Sequence, residues 1–567
     1  MKLKHYILVF SVGALVFCGS LFNGFVLDDV VHITKNYQLR TVTNNAFRHI
    51  MLLPYYPGNL YRPLIYLSYY STYTIFGLDP LPHHAINILL HALNCVLVLY
   101  ILSAFLESFP ALIGAVSFAL LPIHTEAVAN VSGRGELLYS FFSLSFLSLM
   151  VDWGKRADIK PIKSLLLLFP LALMGFLSKE SCVVLFFLSP LTVWAIYKKK
   201  ERLQVIVLSL MPLLAAFAIY LIFRIKALGG IITGIDSIPF LDNPLVGLSP
   251  LKRALYGFIL LGRYAELSIA PHTLSGDYSY RAIDPNNIIL LSGYGRYGIF
   301  AVCLLCIALM KPLQKNWAFF SLWFFLAFIP TSNIFFPIGT VFGERLAYLP
   351  SVGICAILGI VLSKTGKAKL PLSIALCMAY GTLSYTCSKY WRHNYDLIKR
   401  WITVSPESAK TQCNYGFMMK NQGNLNKAVE HFDKAISIYT NYADPWYGKG
   451  LVAMIKGDLK KAAHFYKKAL AVNPQHAPSL TALGDIAISN GEAQTARRYY
   501  KAALIINPNS LYAKIGLIYV NLKSGDISAA RETLNEILKL EPKNPRVIDL
   551  KRRLRHLSTG SKRTGQP

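Results

Sequence analysis

Long apolar runs broken by short polar stretches fill the chain up to about residue 388, and beyond that the pattern changes to amphipathic periodicity. Runs long enough to span a bilayer, or nearly so, cover about 6–22, 84–106, 110–128, 137–153, 163–178 and 181–197. Five more cover about 204–223, 295–311, 316–336, 346–363 and 370–388. The fifth and sixth are short for spans, with Lys179-Glu180 between them. Read as about eleven helices, the runs predict an all-α, polytopic membrane domain over 1–388 with the two ends of the chain on opposite sides. Met1-Lys2-Leu3-Lys4-His5 ahead of an apolar run resembles a signal peptide, but so many spans follow that an uncleaved first helix is expected.

Two loops are long, 23–83 and 224–294. In the first, Pro63 suits a first helical turn and Gly77 a C-terminal stop. Tyr66, Tyr69, Tyr70 and Tyr73 between them recur at helical spacing, as in a helix lying in the membrane interface. The second holds a helix at about 251–270, expected to be interfacial or re-entrant rather than a span. Residues 389–408 read as a linker.

Residues 409–542 repeat with a period of 34: Gly423, Gly457, Gly491 and Gly525; Ala428, Ala462, Ala496 and Ala530; Phe432, Tyr466, Tyr500 and Leu534. Pro474, Pro508 and Pro542 close the last three units. Small residues at these positions let paired helices pack closely, which is the tetratricopeptide (TPR) pattern. Four such units form a solenoid with a concave groove for a peptide or partner. A basic tail, 543–567, follows with Lys551 to Arg555 and Lys562-Arg563 and is expected to be solvated.

Composition adds charge to this picture. The chain is 54% hydrophobic and 15% charged over 567 residues, which belongs to membrane proteins. Its formal net charge is +29, of which residues 389–567 hold +16 (29 Lys/Arg against 13 Asp/Glu). That surplus suits anionic head groups or acidic acceptors, and no base-reading module accompanies it, so nucleic acid is not expected as a partner. Cys303 and Cys306 have a CxxC spacing inside an apolar run without a second pair, which reads as buried thiols rather than a metal site.

Basic clusters at Lys2/Lys4, Lys155/Arg156/Lys160/Lys163, Lys198-Lys199-Lys200/Arg202, Lys311/Lys315 and Lys364/Lys367/Lys369 all fall on one side of the eleven-span arrangement. By the positive-inside rule that side is cytoplasmic, so Asp28-Asp29 and the repeats are extracytoplasmic.

The polar interruptions then gather at the outer face: Asp28-Asp29, Arg62, His84/Asn87/His91, His124/Glu126, Arg134/Glu136, Lys179-Glu180, Arg263, Asp277 and Glu344-Arg345. Each has a bland reading. His84, Asn87 and His91 follow helical spacing and suit interhelical hydrogen bonds, and His124 and Glu126 suit a span cap. Lys179-Glu180 and Glu344-Arg345 suit structural ion pairs, and Arg62 and Arg263 can snorkel to head groups. Their convergence on one face favours chemistry instead, since polar groups near lipid are costly and face cavities. Adjacent carboxylates at Asp28-Asp29 repel, so at least one pKa should rise, as a general base needs. A transporter would put such residues near the bilayer midplane.

Several motifs resemble one family, the transmembrane, TPR-containing O-mannosyltransferases. They are Phe25-Val26-Leu27-Asp28-Asp29, Tyr61-Arg62-Pro63-Leu64, Asn87-Ile88-Leu89-Leu90-His91-Ala92 and Pro122-Ile123-His124-Thr125-Glu126-Ala127-Val128. Ser132-Gly133-Arg134, Leu177-Ser178-Lys179-Glu180, Leu261-Gly262-Arg263-Tyr264 and Asp277-Tyr278-Ser279-Tyr280 extend the match. Ser332-Asn333-Ile334-Phe335-Phe336-Pro337 and Glu344-Arg345-Leu346-Ala347-Tyr348-Leu349-Pro350 complete it. The resemblance implies a GT-C glycosyltransferase fold, a polyprenyl- or dolichyl-phosphate sugar donor, and Ser or Thr hydroxyls of exported proteins as acceptors, with mannose as the sugar. Four repeats and no long insert fit a bacterial relative in the inner membrane with an undecaprenyl-type donor, or an ER membrane protein with lumenal repeats if eukaryotic.

On this reading Asp28 and Asp29 are catalytic, with Asp28 as base and Asp29 tuning it or binding sugar. Arg62, His91, His124, Arg134, Lys179, Arg263 and Arg345 are the candidates for the donor phosphate. Glu126, Glu180, Asp277, Tyr278 and Glu344 support them. No metal is predicted, because Asp28 and Asp29 alone are thin evidence for a hard-ion site. The alternative is a membrane-anchored TPR adaptor with an inert membrane part, for which Asp28 would be dispensable and the repeat groove would not.

The orientation is open to direct test. With native thiols removed, a cysteine placed near Lys199 is expected to resist an impermeant thiol reagent in intact cells, and one near Gly457 to react. The reverse labelling would overturn the orientation.

Overall fold

A computed structural model of the chain describes residues 1–36, 39, 46–52, 54–55, 60–156, 161–230, 238–283, 295–309, 315–541 and 544–560. Lys160, Lys311, Pro542, Lys562, Arg563 and part of the loop 224–294 lie outside the described residues. Among those described, the chain is helical, with two isolated bridges, Tyr55 to Leu60 and Tyr280 to Ile283. It divides into two compact units, Met1–Ser405 and Pro406–Pro567.

In the first unit every predicted apolar run forms a helix, but the helices differ in length. Leu3–Phe22, Pro80–Phe105, Val131–Gly154, Arg202–Leu228 and Gly366–Tyr390 are long and apolar enough to cross a bilayer. Ser108–Leu120 and Pro122–Ala129 make a sixth crossing if taken together across a 44° bend, at which Pro122 removes a helical N–H. Leu165–Ser178, Glu180–Ile196, Gly295–Cys306, Asn316–Thr331 and Ser351–Ser363 are shorter apolar helices. Length and apolarity alone therefore support five crossings among the described residues, or six with the bent pair counted as one, and five runs expected as spans are short helices.

Local chemistry explains the helix ends. Asp79 caps Pro80–Phe105 by accepting from the Leu81 N–H at 3.1 Å. Pro63 opens a helix to Phe76, and Gly77, at φ +67°, closes it. The tyrosines of this helix differ from the interfacial expectation. Tyr66 and Tyr69 are buried against Ile33, Ile50, Tyr55 and Val131, and the Tyr69 hydroxyl donates to the Val131 carbonyl at 3.1 Å. A tyrosine stripe cannot say whether lipid or protein receives it, since both welcome an apolar ring with a polar tip. Pro250–Ile269 carries Lys252, Arg253, Arg263 and Glu266 and is not among the helices long and apolar enough to cross.

Residues 389–408, expected to be a linker, contain the helix Asn394–Val404. Its Leu397 and Trp401 are buried with Val26, Ala129 and Trp391, so it belongs to the membrane unit.

The second unit is a row of four helix pairs, from Ala409–Asn421 with Leu425–Ile438 to Leu511–Lys523 with Ile527–Leu540. Each pair turns at one of the periodic glycines, Gly423, Gly457, Gly491 and Gly525, at φ between +77° and +83°, where other residues are strained. Phe432, Tyr466, Tyr500 and Leu534 are buried between the helices. Small residues make room for them: a Cβ added at Gly484 would lie 2.6 Å from the Tyr500 ring.

The tail expected to be solvated is, up to Gly560, a helix from Pro545. Its Val547, Leu550 and Leu554 are buried on Ile515, Ile518, Leu534 and Ile537. A solenoid end exposes the apolar face of its last repeat, and a helix with basic residues on the other side covers it. Leu550→Ala is therefore expected to destabilise the fourth repeat by about 2–5 kcal/mol. Hydrogen exchange over 511–540 in the full chain should accelerate accordingly, and unchanged protection would show that the helix caps nothing.

Candidate functional site

The loop after the first helix is built around Asp29. Its side chain is 0% exposed and accepts three backbone N–H groups: Ser132 at 2.6 Å, Val131 at 3.3 Å and Val26 at 3.4 Å. Flanking groups tie the same loop to the far end of the membrane unit. Asn23 donates to the Ser388 carbonyl at 3.1 Å, Gly24 N–H to the Arg392 carbonyl at 3.0 Å, and Leu27 N–H to Asn394 Oδ1 at 3.0 Å. Leu27 sits at φ +47°, a strained conformation for a side-chain-bearing residue, and the turn it makes leaves Asp28 exposed. The two adjacent carboxylates are thus divided, one locked inside and one open to solvent.

Burial pushes the Asp29 carboxyl up from 3.8 to about 7 against the pull of its N–H donors, and the charge of Asp28 adds to the rise. Asp28 lies within electrostatic reach of Arg345, as do Glu136 and Arg62.

Four cations of this region are matched with carboxylates. Arg62 grips Glu180 with Nε at 3.0 Å and Nη2 at 2.5 Å. Lys179 is bonded to Glu136. Arg345 meets Glu126 twice, through Nη1 at 2.6 Å and its own backbone N–H at 2.9 Å. Arg263 meets Glu266 at 2.6 Å, Tyr297 Oη at 2.7 Å and the Thr273 hydroxyl. The sequence neighbours Lys179-Glu180 and Glu344-Arg345 do not pair with each other, contrary to their bland reading. Each turns to a partner from another element, because consecutive residues at these turns point apart. Arg62 and Arg263 likewise have protein partners rather than head groups.

Glu344 is buried, and its Oε1 accepts from Tyr278 Oη at 2.5 Å, Ser275 N–H at 2.7 Å and Gly276 N–H at 3.3 Å. Burial, then the charge of Glu126, raises its carboxyl to about 7. Asp277 is buried nearby in sequence and accepts the Ser279 N–H at 3.1 Å.

Three residues expected at the donor phosphate are buried and hydrogen-bonded within the protein. Arg134 is 0% exposed and spends its guanidinium on Asn87 Oδ1 (2.9 Å), the His83 carbonyl (2.9 Å) and the Ser68 hydroxyl (3.1 Å). His91 is buried between Tyr348 Oη at 2.7 Å and the Ala119 carbonyl at 3.1 Å. His124 is buried and bonds Ser351 Oγ at 2.8 Å. Asn87 and His91 thus make hydrogen bonds to other elements of the chain, as their helical spacing allows. Arg62, Lys179 and Arg345 remain as one electrostatically linked group with Glu126, Glu136 and Glu180. Sequence reasoning left Glu136, Glu266, Tyr297 and Asn394 out of the site. Glu136 interrupts an apolar run and was visible, but no sequence signal pairs Asn394 with Leu27. Among the described residues, no three His, Cys, Asp or Glu side chains are grouped so as to hold a metal ion.

These features define an all-α membrane protein whose helical membrane domain precedes a tetratricopeptide-repeat solenoid. Tetratricopeptide repeat models match residues 409–442, 443–476, 465–498 and 487–554. The relatives of the chain are the O-mannosyltransferases to which its motifs pointed. It is 28% identical over 491 residues to the protein O-mannosyl-transferase TMTC3 of Mus musculus, covering 77% of this chain and 51% of that one. To TMTC4 of Homo sapiens it is 27% identical over 492 residues, covering 75% and 65%, and to human TMTC1 26% over 490, covering 77% and 55%. The chain thus spans about half the length of the mouse relative. A crystal structure of MamA matches 26% of the chain and 90% of its own, at 22% identity and a TM-score of 0.23, which by itself carries no structural argument.

The state of Asp29 gives a signed prediction. Between pH 3.8 and about 7 the folded protein holds a proton there that the unfolded chain has lost. The contribution to stability is therefore full below that window and lost as pH rises through it. Asp29→Ala removes this term and leaves three N–H groups without their acceptor, at about 1–3 kcal/mol each. Hydrogen exchange at Val26, Val131 and Ser132 should accelerate in the variant. The difference in melting temperature between wild type and variant should shrink from pH 4 to pH 8, and a widening difference would contradict the buried-carboxyl assignment.

Proposed function

We propose that this chain is a membrane glycosyltransferase that moves mannose from a polyprenyl- or dolichyl-phosphate carrier to Ser or Thr hydroxyls of exported proteins. Asp28 is the general base. It takes the acceptor proton while the hydroxyl oxygen attacks the anomeric carbon from the face opposite the phosphate. The glycosyl–phosphate bond breaks with its electron pair going to the lipid phosphate, and the sugar is inverted. Arg345, Arg62 and Lys179 stabilise the charge that develops on that phosphate. Arg345 is the most exposed of the three, at 32% of its side chain against 18% and 8%, and stands foremost for a bidentate grip.

The observation that carries this reading is the division of labour at Asp28-Asp29. Asp29 fixes the turn with both oxygens, and Asp28 is left exposed, within electrostatic reach of Arg345. A base must be positioned and free at once, and this arrangement supports both. The names of the relatives point the same way. The reaction face is taken to be extracytoplasmic, and the repeats to hold the protein acceptor, raising its effective concentration to about millimolar when the tether is short.

Asp28→Asn keeps the side-chain shape but cannot take the proton. Transfer from a lipid-phosphate mannose donor in membranes should fall by about 10²-fold or more, the usual contribution of general base catalysis, with folding unchanged. Near wild-type turnover would sink the base assignment. Wild-type turnover by the double variant Asp28→Asn/Asp29→Asn would remove the pair from the chemistry, and transfer no higher with the wild-type chain than in membranes lacking it would sink the enzyme reading and leave the adaptor.

A further inference from the structure

Glu344 and Arg345 are neighbours that serve different places. Arg345 turns to Glu126, within electrostatic reach of Asp28. Glu344 instead lines a narrow cleft with Thr125, Ser275, Gly276, Trp391 and Arg400. Its Oε1 is held by three donors, whereas Oε2 has no hydrogen-bond partner among the described residues, although the residue is only 3% exposed. A carboxylate oxygen left open to a cleft offers an acceptor to whatever enters it. The cleft also depends on a missing side chain. Gly276, at φ +77°, would place a Cβ 3.4 Å from the Trp391 ring and 3.1 Å from Trp401 Nε1.

The chemistry of the walls narrows what can enter. Arg400 on the cleft and Arg345 next in the chain disfavour an ammonium or guanidinium, and Glu344 with Glu126 disfavours an anion. A neutral donor remains. The cleft has room for about one water-sized group, which admits the oxygen of a hydroxyl whose carbon stem stays at the mouth and not an intact hexose. Tyr390, Trp391 and Leu397 supply an apolar wall for the stem of such a side chain.

We propose that this cleft is an acceptor subsite: it takes the hydroxyl of a serine or threonine flanking the residue that reacts, with Glu344 Oε2 as the hydrogen-bond acceptor. The inference rests on the transferase reading above and adds a preference to it. Acceptor segments with clustered hydroxyls are favoured because one hydroxyl anchors while its neighbour reacts.

The test uses the full chain in lipid vesicles and three hexapeptides with a single threonine flanked by serine, alanine or O-methylserine. Transfer from a dolichyl-phosphate mannose donor is measured with the modified residue mapped by mass spectrometry. Binding is measured separately by fluorescence anisotropy, with the threonine replaced by valine so that no reaction occurs. The serine-flanked peptide should bind about fivefold more tightly than the other two, as one hydrogen bond allows. Glu344→Gln keeps an acceptor oxygen for the Ser275 and Gly276 N–H groups and turns the cleft-facing atom into a donor, so the preference should vanish. Cys387→Met fills the cleft without altering Glu344 and should have the same effect. Equal binding of the three peptides by wild type, or a preference that survives both variants, would overturn the subsite. Competition by methyl α-mannoside would overturn it too, by assigning the cleft to the donor sugar. No transfer to any peptide, with the serine preference in binding intact, would remove the transferase reading and leave the hydroxyl subsite standing.

Discussion

The carboxylate of Asp29 is the point on which this face of the membrane unit depends. It gathers N–H groups from its own loop and from Val131 and Ser132, more than a hundred residues away, in a site with no exposure. Backbone donors in apolar surroundings need acceptors, and a carboxylate is the strongest that a side chain offers. With that bond made, the first helix, the turn before Arg134 and the helix from Asn394 meet at one place, and Asp28 is carried to the surface at the junction. Removing its acceptor oxygens would undo the turn before it touched any chemistry.

Charge balance is the second constraint. Arg62, Lys179, Arg263 and Arg345 each hold a glutamate from another part of the chain or the next helical turn. Unpaired charges near lipid are expensive, so the pairs keep the region folded when no substrate is present. On the proposed transferase reading, a phosphate arriving here would meet guanidinium groups already positioned by carboxylates, at the cost of competing with them. The more exposed pairs, Arg345–Glu126 and Arg62–Glu180, yield most readily. Arg134 lies at the other extreme: its fan of bonds to Asn87, His83 and Ser68 joins helices and leaves nothing for a ligand.

The repeat unit follows a simpler rule. Each helix pair buries an aromatic or leucine at one periodic position and turns on a glycine, so each covers the next, and the last is covered by Pro545–Gly560. The basic residues that made this segment look like a solvated tail occupy the outer side of that helix. The apolar triplet Val547, Leu550 and Leu554 was legible at helical spacing, but charge density masked it.

The sequence by itself determined what repeats locally. Apolar runs made helices, Pro63 and Gly77 bounded one of them, and the 34-residue period made the solenoid, because each signal acts over one turn or one helix pair. The motif residues also marked the outer loops as the place where polar groups accumulate. Tertiary structure decided which of those groups are open and which are spent. Asp28 and Asp29 are adjacent and chemically identical, and only the position of Val131 and Ser132 distinguishes them. Lys179 and Glu180 look like a pair, and packing sends one to Glu136 and the other to Arg62. A side chain's partner is set by distances between elements far apart in the chain, and no local pattern carries that information.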